Sequence, residues 1–245
     1  MKRKKTTSTL RTVLLFVFAA SLLAVGGIGT IMAAPSIQSG DYVAGTELYH
    51  IGVSLVENGK EISRRTYSDY AWDETYGTLL DSLVPKGEAF HMGQTYPEAL
   101  SVTNSGSIDE FVRVSVYKYW VDKDGNKMPV LTPGEIDLNL VTDGGWVLDP
   151  DASTTERQVL YYTSLLTPGE STTPFSDTLT VNGKLPYKVS QTTTDNVITT
   201  TYDYDGVTFM LDVQVDAVQT HSAEAAIKSA WGRSVTVSGT SLVLR

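Results

Sequence analysis

From Phe111 to Trp120 the chain alternates: Val112, Val114, Val116 and Trp120 fall on one side of an extended backbone, and Arg113, Ser115, Tyr117 and Tyr119 on the other. Successive side chains of a strand point to opposite faces, so a period of two commits this segment to a sheet with one dry and one wet face. The sequence Asp122-Lys123-Asp124-Gly125-Asn126 follows at once, and its Asp-Gly-Asn chemistry predicts a tight reversal and a hairpin. Val197–Tyr204, Asp205-Gly206 and Val207–Gln219 predict a second hairpin. Phe209, Leu211, Val213, Val215 and Ala217 point inward there, with Thr208, Asp212, Gln214 and Asp216 outward.

Shorter strands are expected at Asp137–Val141, Gln158–Tyr162 and Phe175–Val181, separated by Pro-Gly and Asp-Pro turns. Glu47–Glu57 alternates through Leu48, Ile51, Val53 and Leu55 and ends at Asn58-Gly59. Ser63–Gly77 is polar and aromatic and reads as a loop insertion, and the Thr-rich tract Ser190–Thr201 as an exposed strand or a loop. Helical periodicity is confined to Ala223–Trp231, where Ser222 can cap the start and Gly232 the end of a helix over an open end of the sheets. The expectation is all-β: a jelly-roll-type antiparallel β-sandwich with one short C-terminal helix, preceded by a signal-peptide helix.

That N-terminal helix rests on Lys2, Arg3, Lys4 and Lys5 followed by an uncharged run of 23 residues from Thr12 to Ala34. A basic start, an apolar stretch and small residues at its end are the signature of an export signal. Cleavage is expected after Ala33. Cleavage after Ala34 is less favourable because Pro35 would follow the scissile bond with its φ fixed and no N–H. The division is therefore residues 1–33 as signal peptide and 34–245 as one sandwich domain. The competing reading is an uncleaved anchor, since about 20 apolar residues span a bilayer. Removing residues 1–33 takes away five basic and no acidic residues, so the formal charge moves from −9 to −14. Such a balance speaks against nucleic acid and anionic lipid as partners. The chain has no cysteine, so thiol catalysis and cysteine metal sites are excluded, and the core of an exported protein must be held by burial alone.

Chemistry-bearing motifs are sparse. His50, His91 and His221 are scattered, whereas a zinc-protease helix needs two histidines four residues apart with a glutamate between. Asp122, Asp124 and Asn126 resemble the start of a calcium loop, but such a loop needs Gly sixth and Glu twelfth, and here Gly125 is fourth and Pro133 twelfth. Weak calcium binding at Asp203 with Asp205, or at Asp149 with Asp151, stays open. There is no Gly-x-Ser-x-Gly elbow. Tyr117, Tyr119, Tyr161 and Tyr162 serve either as a stacking surface or as cross-strand pairs. The expectation is no catalytic residue, no metal site and no cofactor.

The stretch Leu100-Ser101-Val102-Thr103-Asn104-Ser105-Gly106 through Asp109-Glu110-Phe111-Val112-Arg113-Val114 resembles the core signature of the TasA/camelysin group of exported bacterial proteins. Gly145-Trp146, Leu160-Tyr161-Tyr162, Leu166-Thr167-Pro168-Gly169-Glu170 and Val215–His221 through Ala230-Trp231 are similar to that group in the same order. They match especially its alternate signal-mediated exported subset. The resemblance implies a jelly roll, export by a dedicated signal peptidase, and assembly into extracellular biofilm-matrix fibres with copies of itself or related exported matrix proteins. Camelysin-like members are also classed as metallopeptidases, an activity the histidine spacing does not support.

An incomplete sandwich can be completed by a strand from a neighbour. The candidate donor is Ser36–Ser54, with Ser36, Tyr42, Val43, Leu48, Ile51 and Val53 as its residues. The alternative is a monomeric secreted or surface-associated binding module, in which the segment pairs within its own chain and contact with the membrane ends at cleavage.

Overall fold

A computed structural model describes residues 50–68, 71–194 and 197–245, and those from 50 onward fall in one compact unit, Leu48–Arg245. The expected signal helix, Ala33, Ala34, Ser36, Tyr42, Val43 and Leu48 lie outside the described residues.

The long alternating segment is the central element. It forms β6 (Glu110–Val121) in the four-stranded order β13-β6-β9-β8, with β8 (Trp146–Leu148), β9 (Arg157–Tyr162) and β13 (Thr208–Gln219). Val112, Val114, Val116 and Trp120 are buried in the main core, as the period of two requires. The turn after β6 forms as expected. Asp122 Oδ1 accepts from the Asp124 and Asn126 N–H groups at 2.9 and 2.8 Å, and Gly125 takes φ +82°. The return is a single bridge, Val121 to Lys127, so the hairpin stops there and β6 takes its partners from far along the chain.

A second four-stranded sheet has the order β3-β2-β1-β5, from β1 (Ile51–Glu57), β2 (Lys60–Ser68), β3 (Ala71–Thr75) and β5 (Leu100–Asn104). The β1–β2 hairpin closes at Asn58-Gly59, both at positive φ (49° and 82°), as a two-residue loop demands. The expected loop insertion at Ser63–Gly77 is instead most of β2 and all of β3. Register with β1 is set by the Asn58-Gly59 turn, so pairing does not depend on an apolar face. The third sheet, β4-β10-β7, joins β4 (Thr95–Pro97), β7 (Ile136–Leu140) and β10 (Ser176–Val181). All strand pairs are antiparallel, and Val53, Leu100, Val114, Leu138 and Leu179 share one core, making an all-β antiparallel sandwich.

The second expected hairpin is corrected. β12 (Val197–Tyr202) pairs with β11 (Val189–Thr194) in a sheet of its own, so the Thr-rich tract holds two strands, while β13 pairs with β6. A 12-residue register between β13 and β6 outweighs the local signal of Asp205-Gly206.

The helix α1 (Ala223–Trp231) forms where expected and ends at Gly232, whose φ of +72° lets its N–H reach the Lys228 carbonyl at 3.1 Å. Ser222 does not cap it through its side chain; it sits at φ +53° instead. Ala223 and Ile227 pack with Phe111, Val159, Tyr161 and Val218 in a second core, together with the hairpin β14 (Val235–Ser238) and β15 (Ser241–Leu244). Phe111 and Val112 enter different cores because they are adjacent on a strand.

Candidate functional site: a groove beside an unpaired strand edge

β13 is the terminal strand of its sheet, and among the described residues only β6 pairs with it. An edge of this kind leaves a row of N–H and C=O groups open to another strand. Leu211 is buried, but Val213, Val215 and Ala217, inward by alternation, are only half-buried at the margin of the main core. A groove runs past them, bordered by β1 and β2. One part of it, about 400 Å³, is lined by Val53, Leu55, Arg64, Tyr76, Val213 and Val215. Another, about 270 Å³, is lined by Ile51, Arg65, Trp72, Arg113, Asp216 and Trp231.

Each indole of the smaller cleft is backed by a guanidinium. Arg65 lies 4.2 Å over Trp72 and Arg113 lies 5.1 Å over Trp231. Both cations are paired: Arg65 Nε is 2.5 Å from Glu74 Oε1, and Arg113 donates from Nη2 and Nε to Asp216 Oδ2 at 2.6 and 3.1 Å. Gln214 Nε2 donates to the other Asp216 oxygen at 3.1 Å. Tyr76 donates to Glu74, and that hydrogen bond, ahead of the Arg65 charge, holds the Glu74 carboxyl below its ordinary range. The cleft walls are therefore aromatic, polar and charge-balanced.

Buried ionisable groups lie elsewhere. Glu98 is fully buried at the crossover from β4 to β5, and neither carboxyl oxygen has a hydrogen-bond partner. Desolvation first, then the neighbouring Glu57 carboxylate, push its pKa well above the usual range. Glu57, itself 3% exposed, accepts the Leu80 N–H at 2.6 Å and so ties the following loop to β1. Glu110 is buried at the start of β6, and desolvation raises it to about 8, with the Gly52 backbone N–H acting in the opposite sense. Lys118, on the inward face of β6, donates to the Ile136 carbonyl at 2.7 Å, and burial lowers its pKa.

The residues singled out from the sequence do not converge. The His50 N–H donates to Ser107 Oγ, the His91 N–H to the Tyr96 hydroxyl, and His221 is exposed beside α1. Among the described residues no group of three or more His, Asp or Glu side chains is placed to hold a metal ion. Asp149 and Asp151 are both paired with Arg233, at 3.2 and 2.8 Å. Asp203 accepts from Ser190 at 2.5 Å, and Asp205 is exposed in the turn before β13. The tyrosines divide: Tyr161 meets Trp231 edge-on at 5.5 Å in the second core, Tyr162 packs on Trp146 at 5.2 Å, and Tyr119 lies under Lys127. Tyr117, Tyr119 and Tyr161 fall on one face of the β6–β9 pair and Tyr162 on the other, and no ring contact joins any two of them. Ile51 and Val53 of the candidate donor stand in β1, paired on both sides within the chain at Val53.

Sequence reading missed the cleft because its residues come from β1, β2, β3, β6, β13 and α1. The buried ionisable groups of β6 were more accessible: Glu110 and Lys118 occupy its apolar parity, where a charged residue breaks the alternation. No known protein family, no curated protein and no solved structure matches the chain.

Proposed function

We propose that this chain is an exported structural protein that joins copies of its sandwich into extracellular fibres by strand complementation, in the manner of the TasA group. The observation that carries the reading is the edge of β13, unpaired among the described residues, beside a groove with half-buried Val213, Val215 and Ala217. An extended segment can pair with such an edge through its backbone while its alternate side chains fill the groove. The resemblance of Leu100–Val114 and the later motifs to the TasA/camelysin group supports it, as do the basic and apolar N-terminus and the acidic, cysteine-free remainder. Since Ile51 and Val53 are engaged in β1, the donor narrows to the residues before His50, which signal cleavage near Ala33 would free.

The test compares the form beginning at Ala34 with one lacking Ser36–Gly45, by sedimentation velocity over a concentration series and by electron microscopy. Concentration-dependent filaments from the first and none from the second support assembly. A monomer in both cases, with identical melting, points to the binding-module alternative.

A further inference from the structure

Resting on that reading, we infer that the smaller cleft is an aromatic socket that takes the phenol ring of Tyr42 from a neighbouring copy, fixing the register of the incoming strand. Three observations select the occupant. First, the part of the groove lined by Trp72 and Trp231 holds about 270 Å³, room enough for one aromatic side chain. Second, its charges cancel in pairs, Arg65 with Glu74 and Arg113 with Asp216, so it offers no net attraction to an acid or a base. A neutral, amphipathic group is favoured: its ring covers Trp72, which is 47% exposed, and its hydroxyl meets the polar rim of Gln214 and Asp216. Third, the segment before His50 carries two aromatic residues after Ala34, Tyr42 and Tyr49; Tyr49 stands only two residues before β1, which leaves Tyr42 as the one with chain on both sides to reach a neighbour, and the acidic Asp41 and Glu47 do not suit a balanced cleft.

Geometry is compatible with this register. The segment immediately precedes β1 in the sequence, and the first residue of β1, Ile51, lines the same cleft. The β13 stretch bordering the groove, Asp212–Ala217, is six residues, about 20 Å at strand rise, and the 13 residues 36–48 can cover it. Gly40 and Gly45 flank the tyrosine at a distance of two and three residues, which lets the backbone approach the edge closely.

The experiment uses the form beginning at Ala34, with sedimentation velocity over a concentration series for the parent, Tyr42→Phe, Tyr42→Ala and Trp72→Ala. Tyr42→Ala and Trp72→Ala are expected each to weaken self-association at least tenfold, and Tyr42→Phe less than threefold. A synthetic peptide of residues 36–48 should inhibit association of the parent, and the same peptide with Ala at position 42 should not. Association of Tyr42→Ala or Trp72→Ala equal to the parent overturns the socket and leaves strand assembly standing. A parent that stays monomeric at every concentration overturns both.

Discussion

Arg113 and Asp216 are direct cross-strand partners in the β6–β13 register, and their side chains meet at 2.6 Å with 18% and 14% exposure. The pair does two things at once. It staples the edge strand to the sheet, and it turns the guanidinium face toward Trp231, so the last turn of α1 is referenced to the same point.

Removing one partner leaves a mostly buried charge uncompensated. Asp216→Ala is expected to destabilise the fold by about 2 kcal/mol, and Arg113→Met combined with Asp216→Ala by less than the sum of the two single changes. Urea unfolding of the four forms of the cycle measures this. Additive losses would show that the pair is not coupled.

Gly106 of the Asn104-Ser105-Gly106 turn has no room for a side chain. A Cβ at Gly106 would sit 2.6 Å from both the Gly52 nitrogen and the His50 oxygen, all backbone atoms that cannot move independently. Asn104 completes the knot, accepting the Gly106 N–H at 2.8 Å and donating to the Ile108 and Leu166 carbonyls. Gly106→Ala should therefore lower stability by about 2–3 kcal/mol, in the range of overpacking substitutions. Thermal melting reads it. A change in Tm below about 2 °C would contradict the steric argument.

Glu98 and Glu110 set the pH dependence. Both carboxyl groups have folded-state pKa values raised above the unfolded ones, so the native state holds protons that the unfolded chain releases. Their contribution is fully present below the ordinary glutamate range near 4.3 and is lost as pH rises toward and beyond about 8, the value for Glu110. Stability should therefore fall between pH 5 and pH 9. Glu110→Gln should flatten that fall and raise stability at pH 9 on the order of 3 kcal/mol. Denaturant titrations at pH 5, 7 and 9 decide it, and a stability that rises with pH in the parent would refute the assignment.

What could be read from the chain follows from where its side chains end up. β6 was legible because its valines and Trp120 alternate into the main core, and even its buried Glu110 and Lys118 fall on the parity that the valines define; the opposite face reads as wet in the sequence, yet Phe111 and Ser115 are buried there because a second core covers it. β3 was not legible, because four of its five residues are exposed and nothing in them alternates; its pairing is inherited from β2. The Asp205-Gly206 turn misled for a different reason. A turn signal reports that the chain reverses, while the partner of β13 is chosen by twelve cross-strand pairs contributed from a hundred residues upstream. The cleft is the extreme case, since no local pattern links Arg65, Trp72, Arg113 and Trp231. The β14–β15 hairpin was legible in principle, with Val235, Val237, Leu242 and Leu244 alternating around Gly239.

The helix and this hairpin stand or fall on a small second core, which makes Ile227 a sharp probe. It is fully buried between Phe111, Tyr161 and Val235, whereas most of α1 faces solvent. Nine residues are too few for a helix to persist alone in water, so the docked face must hold it. Ile227→Ala removes three heavy atoms from that contact and is expected to cost about 3 kcal/mol. If α1 frays as a unit, amide exchange should accelerate across Ala223–Trp231 and the β14–β15 pairs well before β6. Because Trp231 backs the cleft through Arg113, the same variant should also raise acrylamide quenching of tryptophan fluorescence. Unchanged exchange in α1 despite the loss of stability would mean that the two cores unfold only together.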